Sequence, residues 1–220
     1  WLLLPLSGGL DALAPLTWQM FLGLMLAMLV VLGAGDTLFL LATKRIGVSR
    51  AMPLSMIYPF FTVALAAIFL REQVSLLTGA GAALILGGVY VLSSSRRAAP
   101  ATPVAAIDAA GIAFALLAAL CWAAGTVILT PYSHDLGAVP MNCIRQPAAA
   151  LLFLAVMPKP KTTRELRALA PREWAALVVG GGVIGSGLGA LLYILSLRYA
   201  GAAISSVLSA ASPAFSTPLS

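Results

Sequence analysis

The sequence predicts an all-α polytopic membrane protein built as an inverted repeat of five transmembrane helices each. Three observations predict it. Of the 220 residues, 61% are hydrophobic and only 9% charged, where soluble domains carry roughly 25% charge. Mean hydropathy is +1.02, and apolar runs near the ~20 residues needed to cross a bilayer recur along the chain. One stretch occurs twice: with Pro59 aligned on Pro213, Lys44 falls on Arg198, Gly47 on Gly201, Leu54 on Leu208, Ser55 on Ser209 and Phe61 on Phe215. The register extends backwards through Leu38 and Leu192, Gly35 and Gly189, and Gly33 and Gly187.

In chain order, residues 1–6 read as the end of a helix whose start is missing, and the Gly-, Pro- and Asp-containing stretch 7–16 as a loop. Spans are predicted at 17–43, 49–70 and 74–93. The segment 94–106, with Arg96, Arg97 and Pro100, reads as a linker between a first repeat, 1–93, and a second, 107–220. Further spans follow at 107–130, 141–157, 174–198 and 202–220, with loops over 131–140 and 158–172. That makes seven spans plus a stub. The chain opens at Trp1 and closes at Ser220 inside apolar runs, so it reads as part of a ten-helix parent. The matched spans 17–43 and 174–198 are an odd number of helices apart, so the repeats should be oppositely oriented. Among membrane proteins, inverted repeats point to secondary transporters.

The net charge of +6 is no nucleic-acid signature here, because basic residues in such chains mark cytoplasmic loops. Of 13 Lys and Arg, only Arg71, Arg145 and Arg198 fall on one side. The loops after 43, 93 and 157 are thereby expected to be cytoplasmic. Cys121 and Cys143 lie in or beside apolar runs and read as buried thiols.

Residues able to carry function are few. Asp36 is the one carboxylate well inside an apolar span, eight residues or about 12 Å from Lys44 at the helix end. Intramembrane ionisable groups are functional candidates, so Asp36 is a candidate for proton coupling; the competing reading has it cap a bend beside Gly33 and Gly35. Pro59 and Pro213 each remove a backbone donor within a span, and the freed carbonyls must face protein or a water-filled cavity. They are read either as symmetric bends around a central site or as packing kinks. Tyr58 and Ser212 precede them. Ser55 and Ser209 line the same cavity or, the favoured reading, bond their own helix carbonyls. Trp122 is an aromatic cavity wall or a core residue. Arg145, about one turn into its span, attracts an anionic substrate group or snorkels to the interface. His134 and Asp135 read as a solvated loop. Gly181, Gly185 and Gly189 recur every four residues, which favours close helix packing, and Gly79, Gly81, Gly87 and Gly88 read likewise.

Several stretches resemble the drug/metabolite transporter superfamily, in its EamA-type branch. The most specific is Gly35-Asp36-Thr37-Leu38-Phe39 with Ala42-x-Lys-Arg-Ile-Gly-Val-Ser-Arg-Ala, then Tyr58-Pro59 and Phe69-Leu70-Arg71-Glu72. Leu84-Ile85-Leu86-Gly87-Gly88-Val89-Tyr90 is similar to a repeat's final helix, and Ala118-Ala119-Leu120-Cys121-Trp122-Ala123-Ala124-Gly125 to an opening one. Arg145 stands where the next helix of that family often has an Arg. The resemblance implies ten helices and transport of small metabolites, amino acids, nucleotide-like compounds or drugs. It usually implies cytoplasmic termini, whereas the loop charges point the other way.

The expected function is a secondary transporter of the cell inner (plasma) membrane, moving amino-acid-like or other amphipathic metabolites by alternating access, with export as the expected direction. The expected cavity residues are Tyr58, Pro59, Trp122, Arg145, Ser209 and Pro213, with Asp36 for the proton. Partners are a small-molecule substrate and the lipid bilayer, with a homodimer compatible and no nucleic acid. No cofactor, metal or catalytic residue is expected, since no acid–base, nucleophile or metal-ligand cluster stands out. The alternative is a membrane scaffold or assembly subunit without transport.

Overall fold

A computed structural model describes residues 4–95, 108–156 and 169–210 of the chain. The chain is an all-α polytopic membrane protein, with no strand among the described residues. Six long helices follow one another: α1 Trp18–Ile46, α2 Val48–Leu70, α3 Leu76–Ser95, α4 Ala109–Asp135, α5 Ala138–Val156 and α6 Pro171–Ala210. α1, α2, α4, α5 and α6 each meet both the length and the hydropathy for a span, with mean values of 1.2 to 2.4. Residues 1–3, 96–107, 157–168 and 211–220 lie outside the described part, and Ser212, Pro213, most of the basic loop and the expected linker except Ser94 and Ser95, which end α3, fall there.

The helices begin where the sequence supplies caps. Thr17 accepts from the Met20 amide at 3.2 Å to start α1, and Asp108 accepts from Ala110 and Gly111 at 3.0 and 3.3 Å to start α4. These caps satisfy amides that have no partner inside the helix. Arg45, at the end of α1, pairs with the same Asp108 at 3.1 Å.

The two halves share a local design. The turn after α1 is made by Gly47 at φ 78°, and α6 breaks at Gly201, its repeat mate, at φ 77°. Both conformations are essentially reserved for glycine. Upstream of each glycine the helix widens into π-type turns, Leu29–Asp36 in α1 and Ala176–Gly189 in α6. A straight 40-residue α6 would be about 60 Å long, twice the hydrocarbon core. The break at Gly201 lets residues 202–210 leave that axis.

α4 sits at the centre, packed against α1, α2 and the Ala190–Ala210 part of α6. Its contact surface is small. Ala115 meets Ala42 and Ala51, while Val127 meets Ala66, Ala202 and Ala203. Larger residues fill one end, where Leu24, Leu129, Met141, Ile194 and Leu197 make a cluster. Small residues at helix contacts allow the close approach that drives association in lipid. Gly125 shows this locally, since a Cβ there would overlap Val31 of α1.

The structure revises several sequence expectations. Pro5–Ser7 is a 3₁₀ turn, and residues 1–3 of the expected helix end lie outside the described residues. α4 runs through Pro131 to Asp135 and α5 starts at Ala138, so the predicted loop 131–140 shrinks to two residues and His134 is helical. Among the described residues, four-residue glycine spacing brings no neighbouring helix against Gly181, Gly185 or Gly189, and α5 reaches the π stretch instead through Gln146, which donates to the Ser186 carbonyl at 2.6 Å. Gly181 has nothing near it, and Gly185 and Gly189 face only carbonyls of their own helix. Without side chains to hold an α register, the glycines there permit wide turns. Gly79, Gly81, Gly87 and Gly88 likewise meet no neighbour within 4 Å among the described residues.

Candidate functional site

Asp36 ends the wide-turn stretch of α1, half-buried. Its side chain caps nothing, which removes the capping reading. Instead it accepts a hydrogen bond from Trp122 Nε1 of α4 at 2.9 Å. The approach depends on Gly35, where a Cβ would lie 2.8 Å from the Trp122 ring. The missing side chain at Gly35 therefore lets the indole of the second repeat reach the carboxylate of the first. Wide turns of this kind are frequent at functional sites, because they re-aim side chains within an otherwise continuous helix.

Trp122 also organises the aromatic surroundings. Its ring stands edge-on to Tyr58, with centroids 6.3 Å apart, and tilted against Phe39 at 5.5 Å. Tyr58 donates its hydroxyl proton to the Ser206 carbonyl in α6 at 3.0 Å, and Ser209 lies beside that hydroxyl. Asp36, Trp122, Tyr58 and Ser209 thus belong to one contiguous cluster drawn from α1, α2, α4 and α6. Pro59 is buried next to it but is not in a helix interior. α2 breaks at Met56 and Ile57 and restarts at Tyr58, so Pro59 occupies the first turn of the new segment. There its missing N–H would have had no helical partner in any case. Ser55, just before the break, donates to the Ala115 carbonyl of α4 at 3.3 Å, a bond across the repeats where an own-helix bond was favoured.

A second polar group lies one turn further along α4. Thr126 shares a 2.7 Å hydroxyl–hydroxyl bond with Tyr193 of α6, and Tyr193 lies in the electrostatic neighbourhood of Arg145. Because α5 starts at Ala138, Arg145 stands seven residues, or about 10 Å, from the helix start. That is two turns in, not one. Its Nε is buried without a hydrogen-bond partner, as are both amide atoms of Asn142 on the same face. Sequence reading singled out Arg145 but passed over Asn142 and Tyr193, whose residue types alone carry no signal.

Glu72, in the loop after α2, was noticed only as part of a motif. Its Oε1 accepts from the Ala202 amide at 2.7 Å and its Oε2 from Ala203 at 3.0 Å. It closes the first amides after the Gly201 break, so the first repeat holds the second at its hinge. Beside it opens a recess of about 320 Å³, lined by Glu72, Thr78, His134, Arg198 and Tyr199. Among the described residues no group of His, Cys, Asp and Glu is placed to hold a metal ion.

The comparison with curated proteins found no match. The model of the EamA-like transporter family matches residues 2–94 and again 109–220, one match for each half. With nearly all of its length covered by two copies of that pattern, this multi-pass membrane chain belongs to the EamA-like transporter family.

Proposed function

We propose that this protein is a secondary transporter of the cell inner membrane that exports small amphipathic metabolites by rocking one repeat against the other, with Asp36 as the coupling group. The observation that carries the reading is the Asp36–Trp122 bond, a carboxylate inside a membrane span held at 2.9 Å by a residue of the other repeat. An ionised carboxylate costs several kcal/mol at such a depth. Asp36 has no basic partner among the described residues, so its charge has to be answered by a proton or by a cationic group of the cargo. Either event changes a contact between the repeats, which is what alternating access requires. Proteins in which the two halves are merely glued together have no use for this arrangement, which disfavours a scaffold.

The test is flux in proteoliposomes of a panel of amino acids, nucleosides and cationic drugs, with and without a pH gradient. Gradient-driven flux of one compound is expected. Asp36→Asn should abolish gradient-driven uptake and leave substrate exchange. Gradient-driven uptake that survives in this variant refutes the role of Asp36. No flux of any compound under either condition refutes the transporter reading.

A further inference from the structure

We propose that Arg145 and Asn142 form a subsite for a small carboxylate that carries a hydrogen-bond donor, hydroxyl or ammonium, next to the carboxyl group. This rests on the transporter reading and names the part of the cargo that these two α5 residues hold.

The two residues are three apart on α5 and therefore share a face. α5 packs against α1 and α6, and the neighbouring Met141 and Ile144 belong to the core around Ile194 and Leu197. Within that apolar setting three side-chain atoms are buried with no partner: Arg145 Nε, Asn142 Nδ2 and Asn142 Oδ1. Buried polar groups in folded proteins are almost always satisfied, and each exception asks for an explanation. The guanidinium also lacks a carboxylate, since the only ion pair among the described residues is Arg45–Asp108 at the far end of α1.

The inventory of unmet bonds defines the ligand. Arg145 Nε–H and Asn142 Nδ2–H are donors and call for acceptors, and a carboxylate supplies two oxygens in the planar geometry that Arg prefers. Asn142 Oδ1 is an acceptor and calls for a donor. Exchanging the two amide atoms of Asn142 leaves the inventory unchanged, because both are unpaired. A plain anion answers the donors and leaves Oδ1 empty. A carboxylate with an adjacent donor answers all three. Tyr193 of α6, hydrogen-bonded to Thr126 at 2.7 Å, lies near Arg145.

Equilibrium binding to the purified protein in detergent tests this without flux, using propionate, lactate, alanine and inorganic phosphate as probes at equal ionic strength. Lactate or alanine should bind roughly 10-fold more tightly than propionate, the worth of about one buried hydrogen bond, and the better of the two identifies the donor. Arg145→Gln should weaken carboxylate binding by about 100-fold. Asn142→Leu should remove the preference over propionate, and should weaken propionate itself by no more than about 10-fold, the loss of one donor to the carboxylate. Equal binding of all four probes, or propionate binding as tightly as both lactate and alanine, overturns the proposal, and that comparison needs no variant to fold. Phosphate binding more tightly than lactate also overturns it and assigns the site to a phosphate, including that of a lipid headgroup. Carboxylate binding without flux would count against the transporter reading and leave the subsite standing. Flux of compounds lacking a carboxylate, with no lactate or alanine binding, would do the reverse.

Discussion

Glu72 offers the most direct test of how the two repeats are joined. Its carboxylate receives two amides of α6 at 2.7 and 3.0 Å across a separation of 130 residues. Glu72→Gln keeps one acceptor oxygen and turns an NH₂ group towards the other amide. One charge-assisted bond is lost, worth about 1.5–3 kcal/mol. Loss of the negative charge at a helix start adds about 0.3–1 kcal/mol. Water entering the adjacent recess recovers part of this, so about 2–3 kcal/mol remains. At roughly 2–4 °C per kcal/mol for a chain of this size, the melting midpoint should fall by about 4–12 °C. Glu72→Ala loses both bonds and should fall further. The assay is thermal unfolding in detergent with a thiol-reactive dye, since Cys121 and Cys143 are free and Cys143 is buried. Glu173 is the control: its exposed carboxylate accepts from Ala170 at 2.7 Å within its own segment, so Glu173→Gln should shift the midpoint by no more than a local cap, about 1 kcal/mol. Midpoints for Glu72→Gln and Glu72→Ala that match wild type, or match Glu173→Gln, would refute the cross-repeat tie.

Two further outcomes are expected. Gly47→Ala and Gly201→Ala both force a side chain into positive φ, at a cost of about 1–3 kcal/mol. Only at Gly201 does the new Cβ also meet a neighbour, Glu72 Oε1 at 2.8 Å, whereas Gly47 faces open space. Gly201→Ala should therefore melt lower, and the gap should close when Glu72→Ala is added to both; a gap that persists sinks the account. Asp108 lies outside the spans, and its hydrogen bond from Arg45 holds its carboxyl below the usual 3.8. Its contribution to stability is full above that ordinary value and is lost as pH falls through the lower folded value. Asp108→Asn should thus melt below wild type at neutral pH and converge with it in strong acid, and parallel melting curves across pH would contradict this.

How much of the molecule was legible follows from what each feature depends on. Bilayer spans are a matter of local composition, so the helices were found, although their ends moved. α4 passes through Pro131 because short-range breakers are overridden when the rest of a span is apolar and packed. The repeat was readable because paired residues stand at a constant offset, and Gly47 and Gly201 share nearly the same φ. Asp36 and Arg145 stood out as charges in apolar runs. Their partners did not. Trp122, 86 residues from Asp36, reaches it only because Gly35 leaves room. Glu72 looks like an ordinary loop carboxylate until α6 breaks beside it.

The sequence by itself therefore determined the membrane class, the family and the duplicated layout, because hydropathy, charge and repeat offset are properties of residues in order. Only the tertiary structure decided that Asp36 answers Trp122, that Glu72 closes the amides beyond Gly201, and that Asn142 joins Arg145 as an unsatisfied pair. Those depend on which helices touch, and on hydrogen bonds made or missing between residues whose separation along the chain carries no trace of them.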